Sequence, residues 1–487
     1  MDQTQSTEDQ KLTAFLTEAR LRDIYTSATN IIPSPLTHST SLIYEGMLTR
    51  VSLLKITPSD CSQPSVQAIA KRYVPQEEQT LTFAGGTPVQ LIDQREYKHL
   101  DLFHAIDSRQ PRPYFHDPEE HLVVMEALDG SFHDLLDSYY TRFAKASRRD
   151  RERIRTRVRE DIKSILERTA QIFTQVTRDI SNGSREYELS ILSKETLFAR
   201  HDRGLAAIVN LGVQLDLSEV LESLPLTQTL KRVTPGALAR EAGSFFNRFG
   251  IARERERMFS YLLLQEAAVH GDLLPGNVLY RNDSQGRPSQ FSICDLGIPF
   301  KAPFDFDMIA LLMVDPRIKL MLSLQERQEI YHDYFPKFAE GNLLSSEAST
   351  YNPTPDERFA VGSVAALLRY MGAIYSYLDQ KDPQASVKAQ GDLSLLEHVD
   401  PHLPFKPDRY FGIQYASLVE LLHTEPANSL FPNLNKGVNH FFDSKTRSDL
   451  TGILGQDTRT TYQKFSARLR RTFKWLSIHS WTTSSFI

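Results

Sequence analysis

Cysteines, long apolar runs and excess positive charge are all scarce in this sequence, and each scarcity excludes a class of protein. The only cysteines are Cys61 and Cys294, so the chain has no disulfide framework and we expect a reducing, cytoplasmic setting. No window approaches the roughly 18 consecutive apolar residues of a transmembrane helix, and the densest window covers residues 308–314. The formal net charge of -5 at pH 7 argues against a surface built to bind nucleic acid.

The rest of the composition is that of an ordinary globular protein. Hydrophobic residues make up 40% and charged residues 24%, which favours neither a disordered nor a fibrous chain. A length of 487 residues suggests about three domains, or one fold enlarged by insertions. Residues 1–20 are polar and contain no apolar segment like the core of a signal peptide, so we expect a soluble or peripheral protein.

The first part of the chain predicts a leading helix, a linker and a small antiparallel sheet. Apolar side chains have helical spacing in residues 10–24, and Pro33 and Pro35 end any helix there. Alternating and apolar runs then predict the following elements in order: strands at 41–46, 51–56 and 68–74, a helix at 89–103 and a buried strand at 121–129. We therefore assign 1–39 to the helix and linker and 40–129 to a first lobe.

Residues 130–487 form a second, mostly helical lobe in this interpretation. It contains a helical insertion at about 140–255, a group of polar loops at 269–310 and a helical C-terminal extension. Helical patterns cover 318–334 and 359–378, and the proline- and aspartate-rich residues 382–408 predict a long loop.

Two charged segments of this lobe each have two interpretations. Residues 145–160 contain eight basic residues, which favour a solvated helix face over a surface for an anionic partner. Residues 461–487 combine basic side chains with both tryptophans of the protein. We favour docking of this tail on the helical lobe, and peripheral contact with an anionic membrane is the alternative.

The polar residues best suited to chemistry are concentrated between positions 269 and 297. Asp272 and Asn277 lie on one loop containing proline and glycine, which lets both side chains turn toward one point. Strand patterns on either side of a polar turn then predict a hairpin that returns Asp295 to the side of Asn277. Carboxylate and amide oxygens suit Mg²⁺, which completes its shell with phosphate oxygens and water. This stretch therefore predicts a metal and phosphate site.

The same stretch resembles the catalytic signature of a known group of enzymes. The matching residues are His270-Gly271-Asp272, Asn277, Asp295-Leu296-Gly297 and Asp307. They look like the signature of the aminoglycoside phosphotransferase and choline kinase group within the protein-kinase-like superfamily. The resemblance covers roughly residues 40–130 and 255–315. It implies a two-lobed α+β fold, with a small antiparallel-sheet N-lobe that binds ATP and a larger, mostly helical C-lobe.

The resemblance also implies a role for each polar group of the site. Asp272 would be the catalytic base or would orient the acceptor hydroxyl, and Asn277 and Asp295 would be the magnesium ligands. Lys71, in the strand predicted at 68–74, would contact the α- and β-phosphates of ATP, with Glu96 as its ion-pair partner.

Further roles follow from the same resemblance. The segment around residue 126 would be the hinge between the lobes, where the backbone of Glu126 and Leu128 would meet the adenine. His270 and Asp307 would support the catalytic loop, although a buried hydrogen-bonded histidine and an aspartate at a helix start are also common structural features.

Two departures from protein kinases favour a small-molecule hydroxyl as the acceptor. Serine/threonine protein kinases have a lysine two positions after the catalytic aspartate, and here that position is Leu274. Only residues 298–301 separate Gly297 from Ala302, which leaves no room for a long activation segment. A third departure concerns ATP rather than the acceptor. The first hairpin has only Gly46 where protein kinases have several glycines over the phosphates.

The sequence therefore predicts an ATP- and magnesium-dependent phosphotransferase that acts on a small-molecule alcohol. A nucleotide-binding pseudokinase-like scaffold is one alternative. The other is a kinase-fold enzyme that modifies a protein, by phosphorylation or by nucleotidyl transfer.

Overall fold

The computed structural model describes residues 15–45, 49–73, 80–81, 87–88, 92–191, 201, 204–205, 250–297, 299–340, 353–379 and 407–440. These residues form an α+β fold of two lobes, a small one built on an antiparallel sheet and a larger, mostly helical one. The predictions for Gly46, for nearly half of the insertion, for most of the loop at 382–408 and for the tail at 461–487 lie outside the described residues. Within them, no helix is both long and apolar enough to span a membrane.

The N-lobe consists of a five-stranded antiparallel sheet with a helix on each face. Helix α1 (Glu18–Thr29) begins after Thr17, whose hydroxyl accepts a hydrogen bond from the Arg20 N–H, and ends at Asn30 in a left-handed conformation. The strands are β1 (Leu36–Glu45), β2 (Thr49–Pro58), β3 (Val66–Tyr73), β6 (Pro113–Asp117) and β7 (Leu122–Glu126), in the order β1-β2-β3-β7-β6. A separate short pair is formed by β4 (Thr80–Leu81) and β5 (Thr87–Pro88). The three strands predicted first along the chain are all present.

The two faces of this sheet have different neighbours because side chains alternate along a strand. Ala68 and Ala70 of β3 face α1 and pack with Ile24 in one apolar cluster. Lys71 therefore points to the opposite face, where it lies between Val51 on β2 and Val123 on β7 in the strand ladder. Helix α2 (Ile92–Ile106) covers that face and buries Glu96 against it.

The C-lobe is mostly helical, with two small sheets beside the cleft. Its strands are β8 (Gly130–Ser131), β9 (Ser190–Ile191), β10 (Ala267–Val269), β11 (Val278–Asn282), β12 (Pro288–Ile293) and β13 (Phe300–Ala302). Its helices are α3 (Phe132–Lys145), α4 (Arg148–Ser181), α5 (Ala252–Leu262), α6 (Phe306–Met313), α7 (Pro316–Met321), α8 (Leu324–Ala339), α9 (Pro355–Asp379), α10 (Pro407–Leu422), α11 (Ala427–Leu430) and α12 (Pro432–His440). The predicted hairpin is β11–β12, and β8 extends it to three strands.

The helical structure predicted at 318–334 is confirmed, but the chain forms two helices there rather than one. Helix α7 ends at Met321, and Ser323 begins α8 with a capping box. The Ser323 hydroxyl accepts from the Glu326 N–H, and the Glu326 carboxylate accepts from the Ser323 N–H. Apolar spacing continues across the break, so periodicity alone does not reveal it.

The arginine-rich segment forms the start of α4, and several of its side chains bind the rest of the C-lobe. Arg155 donates to the Met321 carbonyl at 2.9 Å, and Arg159 pairs with Glu326 at 3.5 Å. Arg157 pairs with Asp161 on its own helix at 3.1 Å. The segment is therefore partly a packing surface rather than only a solvated face.

A buried polar cluster joins four elements of the C-lobe core. Asp305, at the start of α6, is fully buried and accepts hydrogen bonds from the hydroxyls of Tyr261 at 2.9 Å and Tyr331 at 2.7 Å. Arg358 of α9 donates to the same carboxylate at 2.9 Å and to Glu266 at 2.6 Å. The cluster fixes α9 against the segment that follows β13.

Replacing Arg358 with Met should destabilise the protein by about 3–5 kcal/mol, because the Asp305 carboxylate would stay buried without its cationic partner. Chemical denaturation of the variant measures this change in the free energy of unfolding. Lys163→Met is the control, since it breaks an exposed ion pair with Asp333 and should cost less than about 1 kcal/mol. Equal losses in the two variants would contradict this account of the cluster.

Candidate active site

The loop after β10 is held in place by one buried carboxylate. Asp307, at the start of α6, accepts hydrogen bonds from the backbone N–H groups of His270 at 2.6 Å and Gly271 at 2.9 Å. Burial raises the pKa of Asp307, and the two N–H groups oppose that shift. Gly271 has a φ of +84°, and a Cβ there would lie 1.9 Å from the Phe300 ring, so only glycine fits.

Asp272 and Asn277 are brought together by the turn that follows. The Asn277 amide nitrogen donates to the Asp272 carbonyl at 2.8 Å and lies 3.4 Å from the Asp272 carboxylate. The backbone N–H of Cys294 donates to the Asn277 carbonyl at 3.0 Å, which closes the β11–β12 hairpin beside the loop. Asp295 is therefore next to Asn277, as the hairpin pattern predicts.

His270 connects the same two loops. Its Nδ1 accepts from the Asp272 N–H at 3.2 Å, so its Nε2 carries the proton and donates to the Cys294 carbonyl at 2.7 Å. These bonds fix the tautomer of the ring and the spacing between the Asp272 loop and the Asp295 loop. They are the contacts expected of a supporting residue.

Lys71 lies between two carboxylates from different parts of the chain. Its ammonium is 2.9 Å from a Glu96 oxygen and 2.5 Å from Oδ1 of Asp295. The lysine is 8% exposed and Glu96 is fully buried. Burial lowers the pKa of Lys71, but the two carboxylates outweigh burial and raise it, so the lysine stays cationic. Burial raises the pKa of Glu96 to about 7, and Lys71 opposes that shift.

Asn277 and Asp295 offer a donor set that fits Mg²⁺ delivered with a nucleotide. The amide nitrogen of Asn277 is engaged by Asp272, which leaves its oxygen for a metal, and the Asp295 side chain is 44% exposed toward the cleft. Across the described residues, no group of three or more His, Cys, Asp or Glu side chains is arranged to hold a metal. Two hard oxygen ligands form an incomplete shell that phosphate oxygens and water can complete.

His99 is a positioning residue that the sequence did not reveal. Its Nδ1 donates to the Leu296 carbonyl at 2.8 Å, so α2 holds the segment directly after Asp295. Burial lowers the pKa of His99 to about 4, which keeps the ring neutral. The only sequence signal is its position three residues after Glu96, which puts both side chains on the same face of the helix.

The predicted hinge also joins the lobes through side chains. The Glu126 carboxylate accepts two hydrogen bonds from Arg281 of β11, at 2.8 and 2.7 Å. The Glu126 N–H donates to the Arg112 carbonyl at 2.9 Å and is not available to a ligand. Within the described chain the Leu128 backbone makes no hydrogen bond. Contact of the adenine with the Glu126 carbonyl and with the Leu128 backbone therefore stays a prediction.

Two residues of α9 border the other edge of the Asp272 carboxylate. The Tyr370 hydroxyl donates to Oδ1 of Asp272 at 3.5 Å, and the Arg369 guanidinium lies 3.9 Å from the same oxygen. No sequence pattern predicted these neighbours, because Tyr370 is 98 positions away from Asp272. They lie at the Oδ1 edge of the carboxylate, whereas Asn277 lies at the Oδ2 edge.

Comparison with solved structures finds choline and ethanolamine kinase family proteins. A choline kinase from Cryptosporidium parvum Iowa II has a TM-score of 0.40 at 11% identity, over 82% of this chain and 93% of that one. A choline/ethanolamine kinase family protein from Mesorhizobium loti has a TM-score of 0.38 at 14% identity, over 81% and 92%. Choline kinase LicA from Streptococcus pneumoniae has a TM-score of 0.33 at 12% identity, over 71% and 88%.

No protein-family model and no curated protein matches the chain. At this level of structural similarity, nothing about the chemistry of this chain follows from the choline kinases.

The neutral His99 ring makes stability depend on pH in a defined window. Below pH 6.5 the unfolded chain gains a proton at His99 that the folded chain does not accept until about pH 4. The stability present above pH 6.5 is therefore lost progressively as the pH falls toward 4, by about 3 kcal/mol for this shift. His99→Phe should lack this loss, as measured by urea unfolding at several pH values. Parallel pH profiles for the two proteins would show that the ring is not held neutral.

The incomplete donor set predicts that metal binding depends on nucleotide. Mn²⁺ titration followed by electron paramagnetic resonance should detect weak binding to the protein alone and much tighter binding with ADP. Asp295→Asn should weaken the ADP-dependent binding at least about 10- to 100-fold. Asp333→Asn, an exposed change on α8, is the matched control. Tight Mn²⁺ binding without nucleotide would contradict the two-ligand site.

Proposed function

We propose that this protein is an ATP- and magnesium-dependent phosphotransferase that transfers the γ-phosphate to a hydroxyl of a small-molecule acceptor. The observation that carries the proposal is the position of Lys71 between Glu96 and Asp295. This arrangement places a permanent cation beside a half-exposed carboxylate, next to the Asp272 and Asn277 loop. Phosphoryl transfer needs such a set, because its catalysis is almost entirely positioning and charge stabilisation.

Each of these side chains has one role in the proposed reaction. Asp272 orients the acceptor hydroxyl and takes up its proton as the oxygen–phosphorus bond forms. The bond from the γ-phosphorus to the bridging oxygen breaks, and its electron pair leaves with ADP. Lys71 balances charge on the α- and β-phosphates. Mg²⁺, held by Asn277 and Asp295 together with phosphate oxygens, would neutralise charge on the β- and γ-phosphates.

The path of the chain after Asp295 supports a small acceptor over a protein. The chain enters β13 at Phe300, pairs with β10, and starts α6 at Phe306. The segment between the metal loop and the next helix is therefore short, and it lies in the core of the lobe. A peptide substrate needs an ordered platform at this point, which such a connection does not provide.

Labelled ATP distinguishes this function from the alternatives. The purified protein is incubated with Mg²⁺ and γ-labelled or α-labelled ATP, with choline, ethanolamine, an aminoglycoside and sugar alcohols as acceptors. Transfer of the γ-label to a small acceptor supports the proposal. Label from α-labelled ATP on protein would indicate nucleotidyl transfer instead, and nucleotide binding without any turnover would indicate a scaffold.

Asp272→Asn should lower the transfer rate about 10²- to 10⁴-fold, because the variant can neither accept the hydroxyl proton nor hold the hydroxyl through a charged oxygen. ADP binding, measured by calorimetry, should change little. Asp333→Asn is the control for the same chemical change on the surface and should keep the wild-type rate. A wild-type rate in Asp272→Asn would overturn the mechanism.

A further inference from the structure

The two oxygens of the Asp272 carboxylate have different neighbours. The edge at Oδ2 faces the Asn277 amide at 3.4 Å, on the side assigned to the metal. The edge at Oδ1 faces α9, where the Tyr370 hydroxyl lies at 3.5 Å and the Arg369 guanidinium at 3.9 Å. The acceptor side of the site therefore carries a cation that comes from a distant part of the chain.

Arg369 has fewer close carboxylate partners than Arg358 and Arg317 of the same lobe. Arg358 and Arg317 each contact two carboxylates within 2.9 Å. In the described part of the chain, Asp272 is the only acidic residue within ion-pair distance of Arg369, and 3.9 Å is too long for a hydrogen bond. The Nε of Arg369 is buried and has no hydrogen-bond partner. A guanidinium in this state has strong donors left for an anion.

The surroundings of Arg369 restrict where such an anion can lie. Its side chain is 13% exposed, and its guanidinium is 5.8 Å from the ring of Phe306. A cavity that Arg369 lines together with Tyr261 and Gly362 has a volume of about 20 Å³, which holds about one water molecule. An acceptor molecule does not fit there. We therefore expect the anion that Arg369 meets to lie on the other side, beside Asp272.

We propose that Arg369 stabilises the phosphoryl group in transit between ATP and the acceptor hydroxyl, an inference that rests on the function proposed above. The phosphorus is then leaving the bridging oxygen of ADP and joining the acceptor oxygen, and negative charge is spread over its three other oxygens. Leu274, two residues after Asp272, brings no charge to this point. A planar guanidinium supplies that charge and offers two parallel N–H donors to phosphoryl oxygens.

The position of Arg369 fits a role toward the phosphoryl group better than a role in holding Asp272. Asp272 is already fixed by its backbone bonds to His270 and Asn277. The longer separation from Arg369 adds little to that geometry. In the ground state the pair keeps the guanidinium beside the carboxylate, so little reorganisation is needed when the phosphoryl group arrives.

The test uses a mimic of the transferred group, so it does not depend on knowing the acceptor. Aluminium fluoride added to Mg²⁺ and ADP imitates the phosphoryl group in transit. Calorimetry of the full-length protein should show that aluminium fluoride tightens ADP binding. Arg369→Met should lose about 10- to 100-fold of that tightening, since one charged hydrogen-bonding group is removed, while ADP alone binds as in the wild type.

Three further variants make the result specific. Arg369→Lys keeps the charge without the planar donors and should retain an intermediate tightening. Arg159→Met removes an arginine that contacts Glu326 on α8 and should behave as the wild type. Arg369→Gln serves if Arg369→Met does not fold, as judged by thermal melting, and the same loss is expected.

Three results would overturn the assignment. The first is full tightening by aluminium fluoride in the Met and Gln variants, and the second is no tightening in a wild-type protein that binds Mg²⁺ and ADP. The third is weakening of ADP binding by the same factor with and without aluminium fluoride, which would mean that Arg369 is only structural. Absence of ADP binding in the folded wild type is a different failure, because it contradicts the proposed function itself.

Discussion

A buried ammonium group shared by two carboxylates is the interaction on which this structure depends. Lys71 on the N-lobe sheet is bonded to Glu96 on α2 and to Asp295 at the end of the C-lobe hairpin. Removing a charge from water costs several kcal/mol, and only close opposite charges repay it. The sheet, α2 and the hairpin must therefore meet at one point. The cleft between the lobes is organised around that meeting.

On the C-lobe side of the cleft, hydrogen bonds rather than ion pairs hold the loops of the site in place. Asp307 accepts two backbone N–H groups of the loop before Asp272, and His270 connects that loop to the hairpin through Cys294. Each bond satisfies a polar group that is shielded from water, which would otherwise cost free energy. Asp272 and Asp295 are consequently placed by the buried backbone around them, while their carboxylates stay accessible for chemistry.

The two walls of the site differ in charge, and this difference bears on the acceptor. On the nucleotide side Lys71 is balanced by two carboxylates. On the acceptor side Arg369 and Tyr370 approach Asp272 from α9, and that helix is fixed by the Arg358 and Asp305 cluster. In the proposed reaction, a cation on this side would counter the charge that develops at the phosphorus. It would also offset the negative charge of Asp272 toward an acceptor that carries negative groups.

The sequence by itself determined the strands, the buried helix and the local spacing of Asp272, Asn277 and Asp295. Those features depend on short periods and on one hairpin, where neighbouring residues set the geometry. Lys71 and Glu96 are predicted because strand alternation and helical spacing indicate the face on which each side chain lies. The family resemblance implies that the two form an ion pair. Only the tertiary structure decided the neighbours Arg369, His99 and Arg281. These depend on which helix packs against which loop, often across about a hundred positions, and no short-range pattern encodes such contacts.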